Sequence, residues 1–358
     1  MASASPLDGA DLEDARTHIR DVLTLAFEHR AQDPALVVGD GRCALSRLLA
    51  EAYRQCLPDA RFLDFDEAGE DAVRSSFEEL RAGSLVVLIQ STSFRLDAFR
   101  IRVELFRRSL KVIEHPHLAR IRESEARTYV SALAYDPGYF RGVGTALKER
   151  VDRARSATLH SGGAPLVFPA GLEPAKLNVG DYRAMRNVGG QFPIGEVFTE
   201  SRDLAAVQGT VRIHAFGDSD FQVRFAPEPF PLVIEDGRVT RAPGAPAAFE
   251  RVLADIHRDE GQVWVRELGL GLNRALGMRT PVTDIGTFER MCGVHLSLGA
   301  KHPSYRKREI DRKRARHHVD VFPATDTLLL DDEVVFEEGA WTLETAPWPP
   351  GGRIPSPP

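Results

Sequence analysis

The chain is poor in cysteine, in long apolar runs and in net charge, and each shortage argues against a class of protein. Three cysteines in 358 residues are too few, and odd in number, for a disulfide framework, which favours a reducing compartment. No apolar stretch is long enough to span a bilayer, and the first residues lack the pattern of a secretory signal. A net charge of −6 does not support nucleic-acid binding as the main function. We therefore expect a cytoplasmic protein without nucleic-acid or membrane partners.

The length of the chain and a change of composition and apolar pattern along it predict two domains. In residues 12–157 strand-like segments alternate with helical ones, and residues 84–89 form the clearest buried strand. Such alternation is typical of a parallel sheet with crossover helices. In residues 158–344 proline and glycine are frequent and apolar runs are short, and residues 234–237 carry a hairpin signal. The predicted fold is an α/β N-terminal domain followed by a β-rich α+β C-terminal domain.

The two ends of the chain are predicted to lie outside these domains. Residues 1–11 have the character of a flexible tail. Residues 345–358 contain six prolines and two glycines, and such a segment buries too little apolar surface to offset its ordering entropy. Trp348 is the largest apolar residue there. Docking of Trp348 on the body or on a second subunit is the alternative to disorder, so a homodimer is left open.

The most informative pattern is His-Val-Asp at residues 318–320, which follows His295 by 23 residues. On an extended strand, the two outer side chains of such a triplet point to the same face. Two imidazoles and one carboxylate are enough to hold a divalent transition metal. Upstream, Glu196 and Glu267 lie among glycine and apolar residues, where a buried carboxylate needs a partner such as a metal ion. The pattern predicts a metal site in the C-terminal domain.

Four motifs in this domain resemble, in order, those of the thermophilic metallo-aminopeptidases, the leucyl aminopeptidase T family. They are Gly189–Thr199 with Pro193, Gly195 and Glu196; Glu267–Asn273, which begins Glu-Leu-Gly; Gly293–Gly299 around His295; and His318-Val319-Asp320. The resemblance covers residues 158–344 and implies that family's fold, with a C-terminal metal-binding domain. It also implies a pair of divalent ions, zinc, cobalt or manganese, held by Glu196, Glu267, His295, His318 and Asp320.

The resemblance further implies an aminopeptidase-like hydrolase, in which metal-bound water attacks a peptide carbonyl. Glu196 or Glu267 would bridge the ions or act as the base. The chain departs from the family at one ligand, a tyrosine that the family places a few residues beyond the first histidine. His302 and Tyr305 lie in that stretch, and either of them, or neither, could take its place.

A second group of similar enzymes, the 2,5-dihydroxypyridine dioxygenases, implies an alternative reaction. These enzymes bind one Fe(II) through two histidines and an aspartate, and His295, His318 and Asp320 would form such a triad with open positions for oxygen and substrate. His115 and His117 follow a predicted strand of the first domain. They could supply a base to the site, although surface positions are the simpler interpretation.

A run of arginine and lysine occupies residues 306–316, between the histidine motifs. The simpler interpretation is a solvated charged surface. The alternative is a rim that attracts an anionic group of a peptide or small-molecule substrate into the site.

Overall fold

The computed structural model describes residues 7–96, 99–163, 165–302 and 304–343. These residues divide into two compact units whose segments alternate along the chain. The first unit takes the residues up to Pro137, together with Gly180–Ile194 and Met278–Thr287. The second unit takes Gly138–Val179, Gly195–Gly277 and the residues from Phe288 onward. Two segments within residues 158–344, which the sequence analysis assigned to the second domain, therefore belong to the first unit.

The secondary structure up to residue 153 alternates between helices and short strands. In chain order the elements are α1 (Gly9–Asp21), β1 (Ala35–Gly39), α2 (Ala44–Cys56), β2 (Arg61–Asp64), α3 (Phe65–Glu78), β3 (Leu85–Ile89), β4 (Arg95–Leu96), β5 (Phe99–Arg100), α4 (Ile101–Arg107), β6 (Lys111–His115), α5 (Ala126–Ala132) and α6 (Pro137–Arg153).

The remaining elements are mostly strands. They are β7 (Ala157–His160), β8 (Leu166–Phe168), β9 (Lys176–Asn178), β10 (Gly189–Gln191), β11 (Glu196–Glu200), β12 (Gln208–Gly217), β13 (Val223–Glu235), β14 (Arg238–Arg241), α7 (Ala247–Glu260), β15 (Val265–Gly271), α8 (Ile285–Phe288), β16 (Gly293–Leu298), β17 (Val319–Pro323), β18 (Thr327–Leu330), β19 (Glu333–Glu337) and β20 (Ala340–Trp341).

The first unit is built on a five-stranded parallel sheet with the strand order β10-β6-β3-β1-β2. Its central strand β3 is buried at every position, as expected for a strand that is covered on both faces. The predicted parallel sheet is confirmed. Buried apolar residues of β1, β3 and β6 pack with those of α3 and α4 to form the core on one side of this sheet.

The first helix begins earlier than the apolar spacing predicts. Asp8 accepts hydrogen bonds from the backbone N–H groups of Ala10 and Asp11, and the Asp11 carboxylate accepts one from the N–H of Asp8. This reciprocal capping starts α1 at Gly9, inside the predicted tail of residues 1–11. Residues 1–6 and the proline-rich segment 345–358 lie outside the described residues.

The second unit is built on a thirteen-stranded antiparallel sheet. The strand order along its main path is β20-β19-β18-β7-β8-β12-β17-β16-β15-β11-β9, and β13 joins β12 to β14. The hairpin signal at residues 234–237 falls at the turn between β13 and β14. Four adjacent strands, β17, β16, β15 and β11, carry four of the predicted metal ligands, Asp320, His295, Glu267 and Glu196, and His318 directly precedes β17. Among the described residues, no helix has both the length and the apolar content needed to cross a membrane.

Candidate metal centre

The register of four neighbouring strands brings the predicted ligands to one face of the sheet. Residues directly opposite each other on paired strands project to the same face. Glu196 lies opposite Gly271 at the start of β11, two residues beyond Gly269 on β15. Gly269 lies opposite His295 on β16. Asp320 on β17 lies opposite Ser297, two residues beyond His295.

Glu267 lies two residues before Gly269 on β15 and therefore points to the same face, and a β-bulge changes the partner of its backbone N–H. The pairing of β15 with β16 slips by one residue between Val265 and Leu268, which leaves the backbone N–H of Glu267 without its regular strand partner. The side-chain oxygen Oγ of Ser297 accepts this N–H at 3.0 Å. The alternation of the strand thus places the Glu267 carboxylate on the face of His295, and the Ser297 hydroxyl keeps its backbone N–H hydrogen-bonded.

Glu196, Glu267 and His295 form a buried three-residue group. The Nε2 atom of His295 lies 3.4 Å from Oε1 of Glu196 and 3.3 Å from Oε1 of Glu267. The residues are 5%, 6% and 1% exposed. Burial raises the pKa of Glu196, whereas hydrogen bonds from His295 and His302 outweigh burial and hold the pKa of Glu267 well below its usual range. Burial would lower the pKa of His295, but the surrounding carboxylates raise it to about 9.

His302 contacts the other oxygen of Glu267. Its Nε2 atom lies 2.7 Å from Oε2 of Glu267, and the imidazole is fully buried. Its Nδ1 atom accepts the backbone N–H of Ser304 at 3.2 Å. Because Nδ1 is the acceptor, we assign the ring proton to Nε2, which donates to Glu267.

His318 and Asp320 form a second pair on the same face. The Nε2 atom of His318 lies 3.2 Å from Oδ1 of Asp320, as the period of two in a strand predicts. Nδ1 of His318 donates to the carbonyl oxygen of Lys301 at 3.1 Å. Such a backbone contact fixes the ring orientation of a catalytic or ligating histidine. Burial opposes a charge on His318, but Asp320 and Glu267 outweigh it and raise its pKa to about 10.

Arg290, which no sequence pattern singled out, is buried beside this group. Its Nη1 atom lies 3.2 Å from Oε2 of Glu196 and contacts Oε1 of Glu289. Burial would lower the pKa of Arg290, but Glu196 and Glu289 raise it. Arg290 is therefore a fixed positive charge on the outer side of Glu196.

Glu260, at the end of α7, accepts hydrogen bonds from both ends of the segment between β16 and β17. Its carboxylate accepts the backbone N–H of Ala300 at 2.6 Å and those of Arg316 and His317 at 2.7 Å each. The segment also buries Ile310 in a small apolar cluster. These contacts hold in place the stretch that contains His302.

The donor set fits a divalent metal ion. Ligand atoms held tetrahedrally by one zinc ion lie about 3.3–3.6 Å apart, given bonds of about 2.0–2.2 Å. The donor atoms of Glu196, Glu267 and His295 all lie within 4.8 Å of one another. Three carboxylates, those of Glu196, Glu267 and Asp320, are buried near the permanent cation Arg290, and within the described residues Oδ1 of Asp320 has an ion-pair contact with His318 but no partner in regular hydrogen-bond geometry. A buried cation would offset the cost of burying these charges.

Tyr305 lies near this group, but its hydroxyl contacts backbone carbonyls. Its hydroxyl donates to the carbonyl oxygen of Pro174 at 2.8 Å, and a second carbonyl, that of Phe198, lies 3.3 Å away. Burial, reinforced by Glu267 and Glu200, raises the pKa of this phenol. A phenol that is bonded to carbonyls and hard to ionise is a poor metal ligand.

The predicted role of His115 as a base is not supported. In the first unit, His115 is 1% exposed; its Nε2 lies 2.8 Å from the Tyr53 hydroxyl and its Nδ1 lies 2.9 Å from the Tyr129 hydroxyl. Burial lowers the pKa of His115 to about 3, and both ring nitrogens are hydrogen-bonded. His117 is partly buried and precedes a short helical turn, with a left-handed backbone. In the second unit, His317, which directly precedes His318, has its Nε2 atom 2.7 Å from Oδ2 of Asp259.

Arg290, Ser297 and Glu260 were missed because their contacts depend on tertiary structure. The sequence around residue 290 contains no motif that indicates a metal site. A charged pair at Glu289 and Arg290, directly ahead of the histidine motif, was the one available signal.

Two solved structures share the fold of the chain. The structure of 2,5-dihydroxypyridine dioxygenase from Pseudomonas putida KT2440 aligns with a TM-score of 0.63 and 16% identity, over 95% of this chain and 99% of that one. The structure of wild-type AmpT from Thermus thermophilus aligns with a TM-score of 0.56 and 15% identity, over 92% and 99%. No family model and no curated protein matches the sequence. The chain is thus distantly related in fold to two enzymes, and its donor group could bind a metal ion.

Proposed function

We propose that the chain is a metal-dependent hydrolase that removes N-terminal residues from peptides or cleaves a related amide. The convergence of Glu196, Glu267 and His295 carries this proposal. Two carboxylates and an imidazole suit zinc, cobalt or manganese. When bound, the ion would polarise the substrate carbonyl and lower the pKa of a water molecule toward about 7. The resemblance of the chain's four motifs to the thermophilic metallo-aminopeptidases agrees with this activity.

In this proposal the residues of the site act as ligands, as a proton donor and as positioning groups. Glu196 and Glu267 act as ligands through the oxygens that face His295. His318 carries a proton on Nε2, held by Asp320 and oriented by the Lys301 carbonyl. From this position, Nε2 would donate the proton that the leaving amine requires. The bulge and the Ser297 hydroxyl keep Glu267 in position.

The basic segment points to substrates with an anionic group. Arg306, Arg308, Arg312 and Lys313 are exposed, and none of them forms an ion pair within the described residues. The segment adjoins the site through His302, whose ring contacts Glu267. Unpaired cations beside a cleft raise the local concentration of anions. We therefore include acidic peptides among the candidate substrates.

The test measures amine release by protein that has been stripped with a chelator and reloaded with zinc, cobalt or manganese. The substrates are unblocked and N-acetylated peptides, including acidic ones. We expect hydrolysis of unblocked peptides only after metal loading, and none by His295→Ala. His257→Ala, on an exposed position of α7, is the matched control and should keep wild-type activity. A metal-loaded protein that hydrolyses none of these amides would contradict the proposal.

The second candidate is an Fe(II) dioxygenase that cleaves an aromatic ring. It is favoured by the pairing of His318 and Asp320, which supplies two of the three ligands in a two-histidine, one-carboxylate triad. However, within the described residues His295 groups with the two glutamates rather than with this pair. Oxygen uptake with 2,5-dihydroxypyridine after anaerobic loading with Fe(II) tests this candidate. Uptake that depends on His318 would favour it over hydrolysis.

A further inference from the structure

The two glutamates of the candidate centre are arranged alike. Each directs Oε1 toward Nε2 of His295, at 3.4 Å for Glu196 and 3.3 Å for Glu267. Each has its Oε2 atom in contact with a nitrogen donor, Arg290 for Glu196 and His302 for Glu267. One oxygen of each carboxylate thus faces the centre, and the other is held by the protein.

In both outer contacts the protein donates a hydrogen bond to Oε2 of a glutamate. A metal ion that bound to that oxygen would compete with this hydrogen bond. The guanidinium of Arg290 has only donors and stays charged, and it lies 3.2 Å from Oε2 of Glu196. Nε2 of His302 lies 2.7 Å from Oε2 of Glu267, and its Nδ1 accepts the N–H of Ser304. Because Nδ1 is already an acceptor, Nε2 is the protonated nitrogen. His302 therefore acts as a donor to Glu267 and has no lone pair for a metal.

A carboxylate that bridges two ions uses one oxygen for each ion. An ion at either Oε2 would have to share that oxygen with a donor hydrogen, and at Glu196 it would also approach the positive charge of Arg290, so these contacts disfavour a second ion. His318 and Asp320 supply only two donors, whereas catalytic zinc sites use three protein ligands. Oε2 of Glu267, which His302 holds, would be the third donor of such a site.

We infer that the centre takes one divalent ion, that His302 is a positioning residue that disfavours a second ion by holding the outer oxygen of Glu267, and that Arg290 is a positioning residue that fixes Glu196 as a ligand. The inference rests on the metal site of the proposed function but not on hydrolysis. It departs from the pair of ions that the family resemblance implies. Donors behind ligating carboxylates also tune the affinity of a site, typically by about 10–100-fold.

The test is calorimetric titration of the chelator-stripped full chain with Zn²⁺, with mass spectrometry of the native protein as a second count. We expect one ion per chain for the wild type. His302→Ala frees Oε2 of Glu267, which then joins His318 and Asp320 as a third donor, so the count should rise toward two. His302→Gln keeps an N–H donor and should stay at one. Arg290→Met should keep one ion with about 10–100-fold weaker binding.

Arg251→Met, at an exposed position of α7, is the control for Arg290→Met and should bind as the wild type does. Circular dichroism and the melting temperature establish that each variant is folded, and His302→Gln keeps the test valid if His302→Ala fails to fold. Two ions in the wild type, or a second ion in His302→Gln, would overturn the inference alone. An unchanged count of one in folded His302→Ala would remove His302 from its assigned role. Absence of any bound ion would defeat the proposed function as well.

Discussion

His295 lies directly opposite Gly269 on the neighbouring strand, and its imidazole fills the space that a side chain at residue 269 would need. A Cβ atom at Gly269 would lie 2.0 Å from Cε1 and 2.0 Å from Nε2 of His295. The absence of a side chain at residue 269 therefore decides where the ring of His295 sits. The Glu-Leu-Gly motif on β15 supplies both a ligand, Glu267, and the room for its neighbouring histidine.

Gly269→Ala should disrupt metal binding without touching a ligand. The added methyl group displaces the ring of His295, and overpacking of this kind costs about 1–3 kcal/mol of unfolding free energy. We expect a large loss of zinc affinity together with a lower melting temperature. Gly277→Ala is the matched control, because nothing lies within 4 Å of a Cβ atom there. Wild-type zinc affinity in Gly269→Ala would show that His295 is not a ligand.

His318→Ala should separate binding of the ion from turnover. In our account His318 donates a proton and is not a ligand, so the variant should retain one ion per chain. Its rate of amide hydrolysis should fall by about 10²–10⁴-fold, the usual contribution of a positioned acid or base. Metal content and kcat are measured on the same sample. Loss of the ion from folded His318→Ala would make His318 a ligand instead.

Glu260→Ala should slow the reaction although Glu260 touches none of the proposed ligands. The substitution leaves three backbone N–H groups, those of Ala300, Arg316 and His317, without their acceptor. We expect a lower kcat and faster proteolysis within residues 300–317, because the ends of that segment are released. Glu250→Ala, at an exposed position of the same helix, should behave as the wild type. Equal protease sensitivity in both variants would show that Glu260 does not stabilise residues 300–317.

His115 should make folding of the first unit sensitive to acid. Its pKa is about 3 in the folded protein, compared with 6.5 as the ordinary value. Above pH 6.5 the ring is neutral in both states, so it has no effect. As the pH falls below 6.5, only the unfolded chain binds the proton, and stability declines by up to about 1.4 kcal/mol per pH unit. At pH 5 the loss from this residue is about 2 kcal/mol.

Urea unfolding at pH 7 and pH 5 measures this effect. The difference between the two unfolding free energies should be about 2 kcal/mol smaller in His115→Gln than in the wild type. His257→Gln, at an exposed site on α7, serves as the control and should keep the wild-type difference. The same pH difference in His115→Gln and in the wild type would mean that His115 is not buried in its neutral form.

Sequence patterns predicted features that depend on local periodicity. The apolar run Leu85–Ile89 predicted β3, and the period of two in a strand predicted that His318 and Asp320 would lie together. A feature that depends on pairing between strands was not accessible. The bulge between Val265 and Leu268, where Ser297 accepts the N–H of Glu267, arises from register alone.

The contacts of Arg290 and His302 with the two glutamates were likewise not predictable from the sequence. A buried arginine beside Glu196 has no local signature, because nothing near residue 290 indicates which carboxylate it will meet. His302 was considered only as a substitute for a tyrosine ligand. Its role as a donor follows from the N–H of Ser304 that occupies its other nitrogen, and this contact is visible only in three dimensions.

The central claim is that Glu196, Glu267 and His295 bind a divalent metal ion. Anomalous X-ray diffraction from crystals of the full chain soaked in Zn²⁺, measured on both sides of the zinc absorption edge, tests this claim most directly. The account predicts one zinc peak per chain, bonded to Oε1 of Glu196, Oε1 of Glu267 and Nε2 of His295. A peak bonded only to His318 and Asp320, or no peak at these three residues under saturating zinc, would contradict it.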